Sequence, residues 1–177
     1  MAHFAITAVG ADRPGIVAAV TGALAEHGCN LEDSSMTILR GQFAMMLVVD
    51  APAGVAAGDL QAALAGPAAA LDLVLTVRPA SESPPGADAD SWTVSVHGAD
   101  HPGIVHGVTA LLADRSVNIV DLSTRVIGTA GSPVYTMILE VTLPPGGDPH
   151  QLQADLEAKA GELGVTCRLH PSEADIL

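Results

Sequence analysis

Two short polar segments share a pattern that suits the binding of a small charged molecule. Asp12-Arg13-Pro14-Gly15 and Asp100-His101-Pro102-Gly103 each place a carboxylate, a proline and a glycine at the predicted start of a helix. Proline presets φ for the first helical turn, and glycine leaves the first backbone amides uncovered, so a small anion could dock there. The alternative is that each loop only starts its helix, with the aspartate as the N-cap acceptor.

A side-chain amide follows each loop at a constant spacing. Asn30 and Asn118 lie 18 residues after Asp12 and Asp100, at the predicted start of a strand. An amide can donate a hydrogen bond to a carboxylate and accept one from an ammonium group. The two loops and the two asparagines are therefore the candidate ligand-binding residues.

Both motifs belong to a longer internal duplication. The segment from Gly10 to Ser35 recurs without a gap 88 residues later, from Gly98 to Ser123. Two copies at so long a period indicate two folded modules of one type, because solenoid repeats have periods of about 20–50 residues. The expected division is a first domain at 1–78, a polar, proline-rich linker at 79–90 and a second domain at 91–177.

Hydrophobic periodicity predicts the same order of elements in each copy. Alternating apolar residues predict a first strand, and a helical period follows Gly10 and Gly98. Next comes a hairpin, with Arg40-Gly41 as a tight turn in the first copy and a longer loop at 128–133 in the second. The later predicted elements are a helix at about 58–70 that is interrupted or bent near Gly66-Pro67, a strand at 71–77, a helix at about 149–163 and a strand at 165–169.

The order βαββαβ, found twice, predicts an α+β fold of two ferredoxin-like sandwiches in tandem. The motifs G-A-D-x-P-G-I-V and N-[LI]-x-D-x-S in this frame resemble the ACT domain, a regulatory module best known for binding amino acids. The first copy is especially similar to the first domain of the glycine cleavage system transcriptional repressor family, whose members are stand-alone tandem ACT proteins.

The resemblance also implies where a ligand would bind. In amino-acid-binding ACT domains the ligand lies between two modules, held by the first loop and by the asparagine of the second strand. Those positions correspond to Asp12, Asn30, Asp100 and Asn118, with Gly15 and Gly103 as a backbone floor. Serine-binding members have an amide where Asp12 and Asp100 stand and a histidine where Gly10 and Gly98 stand. A carboxylate here suits the ammonium group of a ligand rather than its carboxylate.

Composition and charge argue against nucleic acid and membrane as partners. The 177 residues carry a formal net charge of −13, with seven scattered Lys and Arg residues, so we expect no direct binding of nucleic acid. No leader sequence and no apolar run of about 18 residues is present, which favours a soluble cytoplasmic protein without a membrane segment. Two thin cores with open strand edges favour packing of the modules within the chain or in a homodimer.

The methionines and cysteines are interpreted as structural residues, and the histidines are not interpreted as metal ligands. With 2% aromatic residues, the cores must be aliphatic, and we assign to them the strand methionines Met36, Met45, Met46 and Met137. Cys29 and Cys167 are expected to be buried free thiols. His97, His101 and His106 cluster in sequence, but no carboxylate or cysteine completes a zinc pattern, so we expect no metal and no cofactor.

The sequence thus predicts a regulatory protein rather than an enzyme, since no nucleophile motif is duplicated. The leading hypothesis is a non-catalytic protein that binds a small amino acid and signals to a protein partner, in one form as a transcriptional regulator of glycine metabolism. The alternative is a regulatory subunit that acts in trans on an amino-acid metabolic enzyme. A small hydrolase is the third interpretation.

Overall fold

Each half of the chain folds as strand, helix, two strands, helix and strand in the computed structural model, which describes residues 2–80, 90–127 and 133–172. Contacts divide the chain into two units, Met1–Pro84 and Pro85–Leu177. The predicted linker lies largely outside the described residues, as does 128–132 of the predicted second hairpin loop. The first unit consists of β1 Ala2–Ala11, α1 Ile16–Glu26, β2 Asn30–Leu39, β3 Gln42–Ala51, α2 Ala57–Leu71 and β4 Leu73–Pro79. The second consists of β5 Ser91–Gly98, α3 Ile104–Asp114, β6 Asn118–Ile127, β7 Val134–Thr142, α4 Pro149–Leu163 and β8 Val165–Pro171.

Both units contain a four-stranded antiparallel sheet with the same strand order. The orders are β2-β3-β1-β4 and β6-β7-β5-β8, so the first and third strands of each unit lie at the centre. Buried residues alternate along these central strands and pack against the buried stripes of both helices, which leaves the other face of each sheet uncovered by its own helices. The predicted α+β, ferredoxin-like arrangement is therefore confirmed in both halves.

The second strand of each unit lies at an edge that the helices hardly cover. All ten residues of β2 are exposed, and in β6 only Ile119 is half-buried. An edge strand exposes unpaired backbone groups and, here, apolar side chains as well. The prediction that all four strand methionines lie in the core is wrong for Met36 and Met46, which are each 49% exposed. It is correct for Met45 and Met137, which are buried.

The second helix of the first unit differs from its prediction in continuity and in its end. It runs unbroken from Ala57 to Leu71 with Pro67 inside it, so the predicted interruption near Gly66-Pro67 is absent. A proline removes one helical hydrogen bond, and the complete burial of Leu60 and Leu64 holds the helix against the sheet. Asp72, whose φ is 54°, is the C-cap that follows Leu71, and β4 begins two residues later than predicted.

Candidate functional site

Each polar loop leads directly into the first helix of its unit, with glycine at the N-cap. Gly15 and Gly103 have φ of 93° and 99°, a left-handed conformation that favours glycine. No side chain caps either helix, so the alternative in which Asp12 or Asp100 is the N-cap is wrong. The first amides of α1 and α3 remain without a side-chain acceptor, which is the arrangement that binds small anions.

The first loop is held by the hairpin turn beside it. Arg40 and Gly41 have φ of 51° and 80°, as the predicted two-residue turn requires, and the backbone amide of Asp12 donates to the carbonyl of Gly41 over 2.8 Å. The side chains of Asp12 and Arg13 make no hydrogen bond to the described residues, and both residues are exposed. The loop backbone is therefore fixed while its charged groups remain available.

The second loop is anchored by its histidine instead. The imidazole of His101 lies 2.7 Å through Nε2 from the carbonyl oxygen of Leu163, at the end of α4, and 3.0 Å through Nδ1 from that of Pro102. Both nitrogens can donate only when the ring is protonated, so these two carbonyls raise the pKa of His101. The predicted ligand residue His101 thus fastens the loop to the neighbouring helix.

This anchor should make the stability of the second unit depend on pH. Because the pKa of His101 is raised on folding, its contribution is fully present below the ordinary histidine pKa of about 6.5 and is lost as pH rises through the folded value. The difference in melting temperature between the wild type and His101→Ala should therefore be larger at pH 5.5 than at pH 8.5. His101→Arg, which copies Arg13 of the first unit and does not titrate between these pH values, is the control: its difference from the wild type should change between pH 5.5 and 8.5 by the same amount as that of His101→Ala, because the change comes from His101 of the wild type. An equal difference for His101→Ala at both pH values would contradict this anchor.

Tyr135 is a residue that the sequence analysis missed. It pairs with Gly98 at the end of β5, is 6% exposed, and its hydroxyl is buried without a hydrogen-bond partner. Burial, together with the Asp100 carboxylate, raises its pKa. The first unit has the apolar Phe43 at this position, so an unsatisfied hydroxyl near the loop distinguishes the second unit from the first. In the sequence, the replacement of Phe43 by Tyr135 between the two copies is the signal that could have identified this residue.

The two asparagines occupy the opposite end of each sheet. Asn30 pairs with Asp50, which in turn pairs with His3 near the start of β1, whereas the loop follows the end of β1. Eight residues of strand separate these positions, a distance of about 25–30 Å. Asn118 likewise pairs with Thr142, opposite the first residue of β5. Within one unit, therefore, the asparagine and the loop cannot contact the same small amino acid.

The side chains of the two asparagines do not hold the described fold together. Both are exposed, and their side-chain amides form no hydrogen bond within 2–80, 90–127 and 133–172. Beside Asn30, the Oδ1 atom of Asp50 is buried and accepts no hydrogen bond. A buried carboxylate oxygen without a donor is costly, and an ammonium group would satisfy it. Asp50 is thus a second candidate that the sequence analysis did not select.

A small apolar cavity lies next to the first loop. Its volume is about 190 Å³, and it lies between the first turns of α1 and the exposed strand β2. Val17 is two residues beyond the N-cap, so the cavity and the open amides of α1 share one helix turn. Leu31 and Met36 supply apolar walls, and Thr21 and Ser34 add hydroxyls. This volume suits a small aliphatic or hydroxylated side chain.

Metal-binding clusters and reactive thiols are the remaining features to examine in the described part of the chain. No group of three or more His, Cys, Asp or Glu residues there is placed to hold a metal ion. Burial raises the pKa of both free thiols, that of Cys167 to about 11, so they remain protonated and weakly nucleophilic at neutral pH. Among the described helices, none is long and apolar enough to cross a membrane.

Comparison with known proteins agrees with the duplicated architecture. The ACT domain family model matches residues 2–78 and again residues 93–170. This chain belongs to the ACT domain family. As a tandem ACT protein it is 29% identical to the glycine cleavage system transcriptional repressor of Escherichia coli K12 over 166 residues, which is 92% of this chain and 86% of that protein.

Two solved structures extend the likeness over the whole tandem ACT protein. A protein of unknown function from Galdieria sulphuraria has a TM-score of 0.82 at 31% identity, with 97% of this chain and 99% of that chain covered. A protein assigned as a glycine cleavage system transcriptional repressor has a TM-score of 0.76 at 25% identity, with 98% of each chain covered. The chain is therefore a regulatory-type ACT protein related to that repressor.

Proposed function

We propose that this tandem ACT protein is a non-catalytic sensor that binds a small amino acid and passes the bound state to a protein partner. The observation that carries the proposal is a set of polar groups at duplicated positions that have no hydrogen-bond partner among the side chains of the described residues. These are the open amides of α1 and α3, the carboxylates of Asp12 and Asp100, and the amides of Asn30 and Asn118.

These groups match the two charged ends of an amino acid. The α-carboxylate suits the helix amides or an asparagine N–H, and the ammonium group suits Asp12, Asp100 or the orphan oxygen of Asp50. Because the loop and the asparagine of one unit lie about 25–30 Å apart along the strands, each is half of a site whose complement comes from outside that unit. Arg13, Pro14, Gly15 and their counterparts His101, Pro102 and Gly103 shape the loop half.

The signal would be a shift between two states of the protein. A ligand changes partner affinity only through its different affinities for those states, a coupling of typically about 1–3 kcal/mol. Similarity to the Escherichia coli repressor favours a partner in transcriptional control of glycine metabolism. The net charge of −13 favours a protein partner over direct contact with DNA. Reciprocal co-purification would distinguish a transcription factor from a metabolic enzyme.

A melting-temperature screen against the twenty amino acids tests the binding step. One or a few small amino acids at millimolar concentration should raise the melting temperature by several degrees, since a ligand that binds only the folded state stabilises it. Titration calorimetry with the hit should then show unequal sites, because the second unit has Tyr135 and the anchored His101. Lack of a shift with any amino acid would contradict the proposal, and two equivalent, independent sites would contradict the assigned asymmetry.

A further inference from the structure

The uncovered faces of the two sheets differ sharply in chemistry. In the first unit, six positions of this face on β1, β3 and β4 are small or apolar, namely Ala5, Val9, Ala44, Met46, Val48 and Val74. The register of the second sheet places Thr93, His97, Thr136, Ile138, Glu140 and Thr166 at the corresponding positions. Both units have the same fold, so the apolar character of the first face comes from its side chains and is not required by the fold.

The apolar side chains on this outer face of the first sheet are open to solvent. Val9 is 47%, Met46 49% and Val74 73% exposed. The two central threonines, Thr7 and Thr76, bond to each other through their hydroxyls over 2.7 Å and so need no other partner. Contiguous apolar surface of this kind is uncommon on a soluble domain unless something covers it.

Charges occur on the same face only towards its rim, and they are arranged by sign. One row across the sheet runs Asp33, Val48, Ala5 and Arg78, and the next contains Asp50 and His3. The acidic residues lie on β2 and β3, and the basic residues lie on β1 and β4. The face therefore has an acidic half and a basic half, separated by the line between its two central strands.

We propose that the outer face of the first sheet packs against the same face of a second copy of this chain. A twofold axis parallel to the strands, between β1 and β3, places β1 over the second copy's β3, and β2 over its β4. Aligned sheets pack in this way about 10 Å apart. Each large side chain then meets a small one, with Met46 over Thr7 and Val9 over Ala44.

The same operation brings opposite charges together. Arg78 of each copy faces Asp33 of the other, so the contact is self-complementary as a twofold interface requires. The chain as a whole has a formal net charge of −13, so two copies repel each other unless they meet through a neutral or complementary face. Among the two sheet faces described, the second has Glu140 where the first has Val48, and Arg168 and Arg125 where the first has the uncharged Thr76 and Thr37.

Substitutions copied from the second unit test the contact with little risk to the fold. Val48→Glu reproduces Glu140, and Val74→Thr reproduces Thr166, each at a position where the same fold already tolerates that residue. By analytical ultracentrifugation the wild type should be a dimer of 17.8 kDa chains. Val48→Glu, which buries one carboxylate from each copy over the apolar Ala5 of the other, should weaken the dimer more than about 100-fold. Val74→Thr should weaken it less. Ile138→Glu, on the second face, is the control and should leave the dimer intact.

A charge exchange tests the direction of the axis. Asp33→Arg and Arg78→Asp should each weaken the dimer several-fold, because each places like charges opposite one another. The double variant should recover most of the wild-type affinity. A wild-type monomer at micromolar concentrations would overturn the proposal, as would a dimer that survives both Val48→Glu and Val74→Thr with the wild-type affinity. Failure of the double variant to recover would overturn the proposed axis. Far-ultraviolet circular dichroism of each variant confirms that it is folded.

Discussion

Asn30→Ala and Asn118→Ala are each expected to weaken amino-acid binding at the affected site about ten- to hundredfold while the free energy of unfolding changes by about 1 kcal/mol or less. A hydrogen bond to a charged ligand group contributes about 1.5–3 kcal/mol, which corresponds to that range of affinity. Stability should be nearly unchanged because both amides are exposed and hydrogen-bond to none of the described residues. Titration calorimetry and thermal unfolding of the single and double variants measure the two quantities separately.

A second duplicated amide supplies the matched control. Gln61 donates to the carbonyl of Leu75 over 3.2 Å and accepts from the amide of Val77 over 2.9 Å, which ties α2 to β4. Gln153 accepts from the amide of Leu169 in the same way. Gln61→Ala should therefore lower stability by about 1 kcal/mol and leave ligand affinity unchanged. If the asparagine variants behave like Gln61→Ala, the asparagines are structural and the site assignment is wrong.

The contrast between these amides shows what the sequence could and could not predict. Both the asparagines and the glutamines are duplicated between the two units. The spacing selected Asn30 and Asn118, but it gave no reason to assign them a different role from Gln61 and Gln153. Their roles depend on whether a backbone group lies within reach, and that is set by the docking of helix on sheet. Alternation and helical periodicity, by contrast, depend on local sequence, which is why the order of elements was predicted correctly.

The position of the candidate ligand residues shows a second limit of prediction from the sequence. The loop and the asparagine were taken as one constellation because they are 18 residues apart in both copies. The antiparallel register of β1 with β3 and of β3 with β2 places them at opposite ends of the sheet instead. Register follows from pairing across the whole sheet, so motif spacing could not reveal it. The same is true of Met46, whose outward direction follows from its pairing with Thr7.

The end of the first strand in each unit provides a stability prediction that bears on the ligand. A Cβ at Gly98 would lie 2.7 Å from Cγ1, 3.0 Å from Cβ and 3.1 Å from Cα of Val165, and a Cβ at Gly10 would lie 2.9 Å from the carbonyl oxygen of Asp72. Because two of these neighbours, the Cα of Val165 and the carbonyl oxygen of Asp72, are backbone atoms, the backbone at the start of the last strand would have to shift. Gly98→Ala and Gly10→Ala should each lower the free energy of unfolding by about 1–3 kcal/mol.

Gly22→Ala, inside α1, is the control for these variants. A Cβ there meets nothing within 4 Å, and alanine favours a helix interior over glycine by about 0.5–1 kcal/mol, so this variant should be slightly more stable than the wild type. Denaturant unfolding compares the three variants, and a neutral Gly98→Ala would show that β8 yields easily. If Gly98→Ala and Gly10→Ala do lower the free energy of unfolding as expected, no side chain fits at either position without moving the last strand. The histidine of serine-binding ACT domains would then have no counterpart here, and the proposed recognition of an amino acid would depend on the loop aspartates, the helix amides and the asparagines instead.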